Sequence, residues 1–266
     1  MTGDRSTIRI LHHLARSGGT LISRCLASMA GVAVLSEIHP AGAAIHYPVY
    51  DPIEQAMRWY GLVDESERAR LGRTTPERFA DAIALISGRA EARGLALVIR
   101  DWTQLDYLGL PFRRETSARL ETVAALEDRF NIRSFATVRH PIGQWLSLRK
   151  IAGTGELTLE GFLAGYRRFA ADAVAMGFVR YEDFTASPEA SLQQIATGLA
   201  LPYDPSFVDR WTEYRHMTGD TPPADESTRR IAPAKARPLP PGLVERFAAL
   251  PDFNQAIGML GYGQRP

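Results

Sequence analysis

One stretch near the start of the chain limits its fold more than any other. Residues 8–14, Ile-Arg-Ile-Leu-His-His-Leu, read as a short apolar strand. Arg16, Ser17, Gly18, Gly19 and Thr20 follow as a small, glycine-bearing turn. Leu21, Ile22, Cys25, Leu26 and Met29 then recur at helical spacing. A strand that passes through such a turn into a helix makes an anion cradle. Free N–H groups of the turn and of the first helical turn point at one spot, and the helix dipole favours negative charge there. Gly18 and Gly19 carry no Cβ to obstruct close approach. Arg16 offers a fork of donors that suits phosphate or sulfonate oxygens. The plainer alternative is an ordinary strand-to-helix turn.

The rest of the chain repeats the alternation. Apolar runs at 32–36, 95–99, 132–138 and 178–181 read as strands. Helices are expected over 52–62, from Thr75-Pro76 to about Gly94, over 115–130, and from Pro141 through Ser147. Further helices follow through Leu159, Phe162, Tyr166 and Phe169, after Ser187-Pro188, and near 243–250 and 254–260. Strands alternating with helices predict an α/β fold with a central parallel sheet and helices on both faces. Ligands in such sheets sit beyond the carboxyl ends of the strands. The first turn, Glu37, Asp101 and Arg139 all fall at those ends. No linker divides residues 1–266, so one domain is expected. Residues 37–51 read as an irregular lid or acceptor wall, and 217–241 as an exposed loop. His12 and His13 are neighbours in a strand and should face opposite sides.

A second stretch bears on the same chemistry. Arg139 ends a strand, Pro141 opens a helix, and Ser147 lies on that helix. A strand-end arginine and a serine from the following helix can converge on one phosphate; a solvated arginine and a back-bonded serine are the alternative. The net charge of +1 means that any basic site must be local, and attraction to nucleic acid is not indicated. No apolar run reaches membrane-spanning length. The single cysteine, Cys25, fits a reducing, cytoplasmic setting. Dense carboxylate or His/Cys ligand clusters are missing from the sequence, so no metal is expected.

The first turn lacks the lysine and the spacing of a P-loop ATPase. It resembles instead the shorter loop of the sulfotransferases, a basic residue followed by Ser-Gly-Thr after an apolar strand. The run from Arg139 through Pro141 to Ser147 is similar to their 3′-phosphate motif. Arg180-Tyr181-Glu182-Asp183 resembles a third family landmark, where Tyr181 and Glu182 would be supporting residues. The stretch 227–237 lies where the family brings a basic loop over the cofactor, with Arg230 as the best match. The resemblance spans about residues 8–237 and implies a P-loop NTPase-like fold. It implies the donor 3′-phosphoadenosine-5′-phosphosulfate (PAPS), with adenosine 3′,5′-bisphosphate as product. Arg16, Ser17, Gly18, Gly19, Thr20, Arg139, Ser147 and Arg230 would bind it.

The acceptor would be a hydroxyl of a small molecule, glycan or lipid. Arg16 would also stabilise the reacting charge. Many family members use a histidine base after the third strand, but Trp102 stands in its place here. Other branches use a glutamate at the end of the second strand, a position that Glu37 matches, with Asp101 as the alternative base. The plainer alternative for Glu37 is a carboxylate that simply pairs with Arg16 or another cation. Trp102, Tyr47 and Trp59 could line an acceptor pocket. Two rival readings stay open: a nucleotide-dependent kinase or NTPase on the same fold, and a non-catalytic nucleotide-binding module.

Overall fold

A computed structural model of the chain describes residues 5–111, 115–151, 155–219, 230–233 and 238–266. Five strands form one sheet in the order β2-β3-β1-β4-β5. They are β1 (Thr7–His13), β2 (Val32–Ile38), β3 (Ala96–Asp101), β4 (Asn131–Val138) and β5 (Phe178–Arg180). Every neighbouring pair is parallel. The first three strands and their helices build one side of the sheet. After β4 the chain builds the other side, so the crevice beside β1 is a topological switch point.

Alternation along each strand explains the layers. Ile8 and Ile10 of β1 join Leu35, Leu97 and Ile99 on one face. That face is covered by the helices Pro52–Tyr60 and Phe79–Ala92. Leu11, Val34 and Val98 point the other way, toward Ile22, Leu26, Leu192 and Ile195. These come from the helices Gly19–Ala27 and Pro188–Gly198. A third cluster joins the helices Pro141–Leu148, Leu159–Met176 and Pro251–Leu260. Among the described residues, no helix is long and apolar enough to cross a membrane.

Several sequence expectations change. Residues 115–130 yield only the short helix Glu121–Ala124. Leu126 and Phe130 reach the core through successive turns instead of one continuous helix. Threonine and serine before a helix-opening proline commonly cap it, yet neither Thr75 nor Ser187 makes a side-chain cap, and Thr75 leads first into a 3₁₀ turn, Pro76–Arg78. Residues 37–51 are less loop-like than expected. They hold the helix Gly42–Ile45 and are fastened from several directions. Gln55 Nε2 donates to Val49 O at 2.8 Å, Arg73 donates to Ala43 O, and Asp51 caps Ile53 N while accepting from Thr74 N at 2.8 Å. Those ties make the segment a fixed wall. Of the expected loop at 217–241, residues 220–229 and 234–237 lie outside the described residues.

Candidate active site

Each strand delivers a residue to one cleft of about 380 Å³ at the carboxyl edge of the sheet. They are His13 from β1, Glu37 from β2, Arg100 from β3, Arg139 just after β4 and Tyr181 just after β5. The turn after β1 adds Arg16, Gly18, Gly19 and Thr20, and the helix after β4 adds Ser147. The two sequence stretches thus meet in one cavity.

The turn is shaped for close approach. Gly18 sits at φ 86 and ψ 5, in the left-handed region that disfavours side chains. A Cβ there would overlap the Tyr181 ring, and one on Gly19 would overlap the His13 imidazole. The first helical bond runs from Ile22 N to Gly18 O at 3.1 Å. The amides of Gly19, Thr20 and Leu21 therefore have no helical acceptor, and all three residues line the cleft. Ser17 is not among the residues lining the cleft, and its backbone N donates to Leu14 O at 3.3 Å. Its side chain is buried, and its Oγ has no hydrogen-bond partner among the described residues.

Arg16, Arg139 and Ser147 are interlocked. Arg16, itself at φ 67, donates from Nε to Ser147 Oγ at 3.0 Å. Arg139 Nη1 donates to Arg16 O at 3.1 Å, and its guanidinium lies 4.8 Å from the Tyr181 ring centroid. The turn and the mid-chain motif are therefore bonded to each other, not merely facing each other.

Glu37 owes its position to an irregularity in β2. Ser36 pairs with Arg100 and Ile38 with Asp101, so Glu37 is the extra residue of a bulge, at φ 55. A bulge re-aims a side chain, and here Glu37 lines the cleft although every residue of its strand is buried. Positive φ at a non-glycine residue stores of order 1–3 kcal/mol, which the surroundings must offset. Arg100 Nη2 lies 3.5 Å from Glu37 Oε1.

Arg100 went unnoticed in the sequence, yet it organises the cleft floor. Its guanidinium donates to His13 Nε2 at 3.1 Å, Ser36 Oγ at 2.9 Å, Thr218 O at 3.0 Å and Thr20 Oγ1 at 3.0 Å. Burial lowers its pKa, opposed chiefly by Glu37. Because Arg100 Nε donates to His13 Nε2, that histidine is neutral with its proton on Nδ1. Burial first, and Arg100 next, hold its pKa well below the ordinary 6.5. The signal for Arg100 was a charge at the end of an apolar strand, overshadowed by Asp101 beside it.

Asp101 does not reach the cleft, which corrects its choice as the alternative base. It is fully buried, and its oxygens are taken by His12 Nδ1 at 2.9 Å, Thr103 Oγ1 at 2.7 Å and Thr122 Oγ1 at 2.6 Å. Consecutive strand residues point to opposite faces, so Arg100 in the cleft puts Asp101 away from it. His12 and His13 divide in the same way. Arg230 is exposed and is not among the residues lining the cleft. Trp102 is buried, with the Tyr50 ring tilted against it at a centroid distance of 4.0 Å, and Tyr47 is flanked by Arg68 and Arg73. Trp59 stacks on His216 at 5.9 Å.

The fold also gathers a trio that the sequence did not reveal: His39, Asp106 and Glu121. His39 Nδ1 accepts from Ala41 N at 3.0 Å, so Nε2 carries the proton and donates to Asp106 at 3.1 Å. A metal would need that Nε2 lone pair, so the trio as built is a hydrogen-bonded tie.

Solved structures share this architecture. The sulfotransferase domain from the Synechococcus PCC 7002 olefin synthase matches with a TM-score of 0.64 at 18% identity, covering 98% of this chain and 96% of that one. The sulfotransferase domain from the curacin biosynthetic pathway matches with a TM-score of 0.61 at 16% identity, covering 97% and 98% respectively. No protein-family model matches the chain, and no curated protein matches its sequence significantly.

Proposed function

We propose that this chain, whose fold is that of the sulfotransferases, transfers a sulfuryl group from PAPS to an acceptor hydroxyl. One observation carries the reading. The amides after Gly18, the Arg16 and Arg139 guanidiniums and the Ser147 hydroxyl belong to a single cleft. The donor fits what lines it: three arginines, open helix N–H groups and one carboxylate. In this reading the whole chain works as one domain in a reducing, cytoplasmic setting. The acceptor is a small molecule, glycan or lipid.

When bound, PAPS supplies a sulfuryl group on a phosphate leaving group. Glu37 takes the acceptor's hydroxyl proton as that oxygen attacks. Arg100 aims Glu37, since Arg100 is itself fixed by four other acceptors. His13 stays neutral, so it accepts from Arg100 without adding a competing charge. The amides of Gly19 and Thr20, with Arg16, hold the charge that grows on the leaving side. One such fixed donor is worth about 2.7–4 kcal/mol of barrier. Arg139 and Ser147 anchor the remote phosphate, so that distant binding positions the reacting end.

A kinase on this fold would need a carboxylate to hold magnesium at the end of β3, and Asp101, which stands there, is buried in the His12 network. Thermal unfolding with ligand separates the two. Adenosine 3′,5′-bisphosphate at a hundred times its Kd should add about 2.7 kcal/mol without metal. A larger effect from ATP with Mg²⁺ would refute the sulfotransferase reading. A broad acceptor panel with no sulfated product, despite tight bisphosphate binding, would favour the non-catalytic module.

A further inference from the structure

The chain leaves the helix Pro251–Leu260 through Gly261, at φ 66, and residues 261–263 meet the segment that carries Arg139. Several contacts hold them there. Arg180 Nε donates to Leu260 O at 2.9 Å, and its guanidinium lies 4.9 Å from the Tyr262 ring centroid. Tyr262 OH donates to Glu182 Oε2 at 2.8 Å, while Glu182 Oε1 accepts from the His140 backbone N at 3.1 Å. Glu182 therefore ties Tyr262 to the residue next to Arg139.

The His140 ring makes the second tie. Its Nε2 lies 3.0 Å from Gly263 O, and a carbonyl can only accept, so Nε2 carries the proton. Nδ1 is left as a lone pair and accepts from Ile142 N at 3.3 Å. That bond caps the helix Pro141–Leu148, the helix that presents Ser147 to the cleft. Gly263 O thus selects the tautomer that can cap. The other tautomer would put an N–H against the Ile142 N–H. Tyr166 OH fixes the adjoining Arg139 carbonyl at 2.6 Å.

We propose that residues 261–263 form a clasp that positions Arg139 and Ser147 for the remote phosphate of the nucleotide. Its consequence for binding rests on the nucleotide reading above. Tyr262, Glu182 and His140 are positioning residues, acting through the backbone and the helix cap. The plain alternative is that residues 261–263 merely complete the packing of the last helix. A packing role would change stability without changing which nucleotide is preferred.

The test is calorimetric titration with adenosine 3′,5′-bisphosphate and adenosine 5′-monophosphate. Three chains are compared: the parent, a chain ending after Leu260, and Tyr262→Phe. The clasp predicts that preference for the bisphosphate falls roughly tenfold in the shortened chain, the scale of one charge-assisted hydrogen bond. Tyr262→Phe should lose a smaller factor, and monophosphate affinity should hold in both. His140→Asn in the shortened chain should restore the preference, because asparagine offers a capping oxygen without help from Gly263. An unchanged preference in both variants overturns the clasp. If the shortened chain does not fold, Tyr262→Phe decides. A parent with no preference for the bisphosphate would refute the nucleotide reading instead. Amide exchange at Ile142 then judges the clasp: faster exchange in Tyr262→Phe supports it, and an unchanged rate overturns it.

Discussion

Arg16 Nε donates to Ser147 Oγ at 3.0 Å, joining two residues 131 positions apart. One belongs to the turn after β1, the other to the helix after β4. The bond means that the two halves of the proposed nucleotide site are held in register before any ligand arrives. Binding then need not order them, which removes part of the entropic cost of association.

Removing the mid-chain cation should cost remote-phosphate recognition selectively. Arg139→Ala is expected to lose about 1.5–3 kcal/mol toward adenosine 3′,5′-bisphosphate, the scale of a hydrogen bond to a charged group. Adenosine 5′-monophosphate should bind both chains alike. Titration calorimetry with the pair of nucleotides reads the difference. Equal losses for both ligands would place Arg139 elsewhere.

Glu37→Gln should stop chemistry and spare binding. Glutamine keeps an oxygen toward Arg100 but cannot take a proton at neutral pH. Turnover should fall about 10²–10⁴-fold, with bisphosphate affinity retained. The assay requires an acceptor found by screening the parent. A variant that keeps parental turnover removes Glu37 from the base position.

Gly18→Ala should destabilise the chain more than Gly242→Ala. Both glycines precede a helix in the left-handed region, at φ 86 and φ 71. Only at Gly18 would a Cβ overlap the Tyr181 ring; at Gly242 nothing lies within 4 Å. The left-handed term is about 1–2 kcal/mol in each. Urea unfolding of the two variants isolates the overlap. Equal destabilisation would mean that Tyr181 moves aside freely.

Stability should rise with pH across the weakly acidic range. His13 and His140 are buried, and burial holds both pKa values below the ordinary 6.5. For His140 the lowering is opposed by Gly263 O and Glu182. Below about pH 6.5 the unfolded chain takes up protons at both sites while the folded chain resists. The unfolded state therefore binds more protons there, and stability falls as pH falls. Each group contributes a slope of up to about 1.4 kcal/mol per pH unit. Urea unfolding at a series of pH values measures it, and a flat profile down to about pH 5.5 would contradict the buried neutral pair.

The elements that carried their own signal were legible in the sequence. The apolar runs gave the parallel strands, and Gly18, Gly19, Arg139 and Ser147 could be assigned to strand ends or to a following helix. What failed depended on tertiary context. Glu37 reaches the cleft through a bulge, which no periodicity announces. Choosing between Arg100 and Asp101 required knowing which face of β3 met the cavity, and the sequence showed only two adjacent charges. Tyr181 packs beneath Gly18 from a segment 163 residues later, a contact set by sheet order alone. The 115–130 segment has helical spacing, yet its apolar residues serve turns that dock on the core.

A crystal structure of the chain with adenosine 3′,5′-bisphosphate tests the central claim most directly. The account predicts one phosphate on the amides of Gly19 and Thr20 beside Arg16, and the other within hydrogen-bond reach of Arg139 and Ser147. A nucleotide bound outside this cleft, or with both phosphates turned away from Arg139 and Ser147, would contradict it.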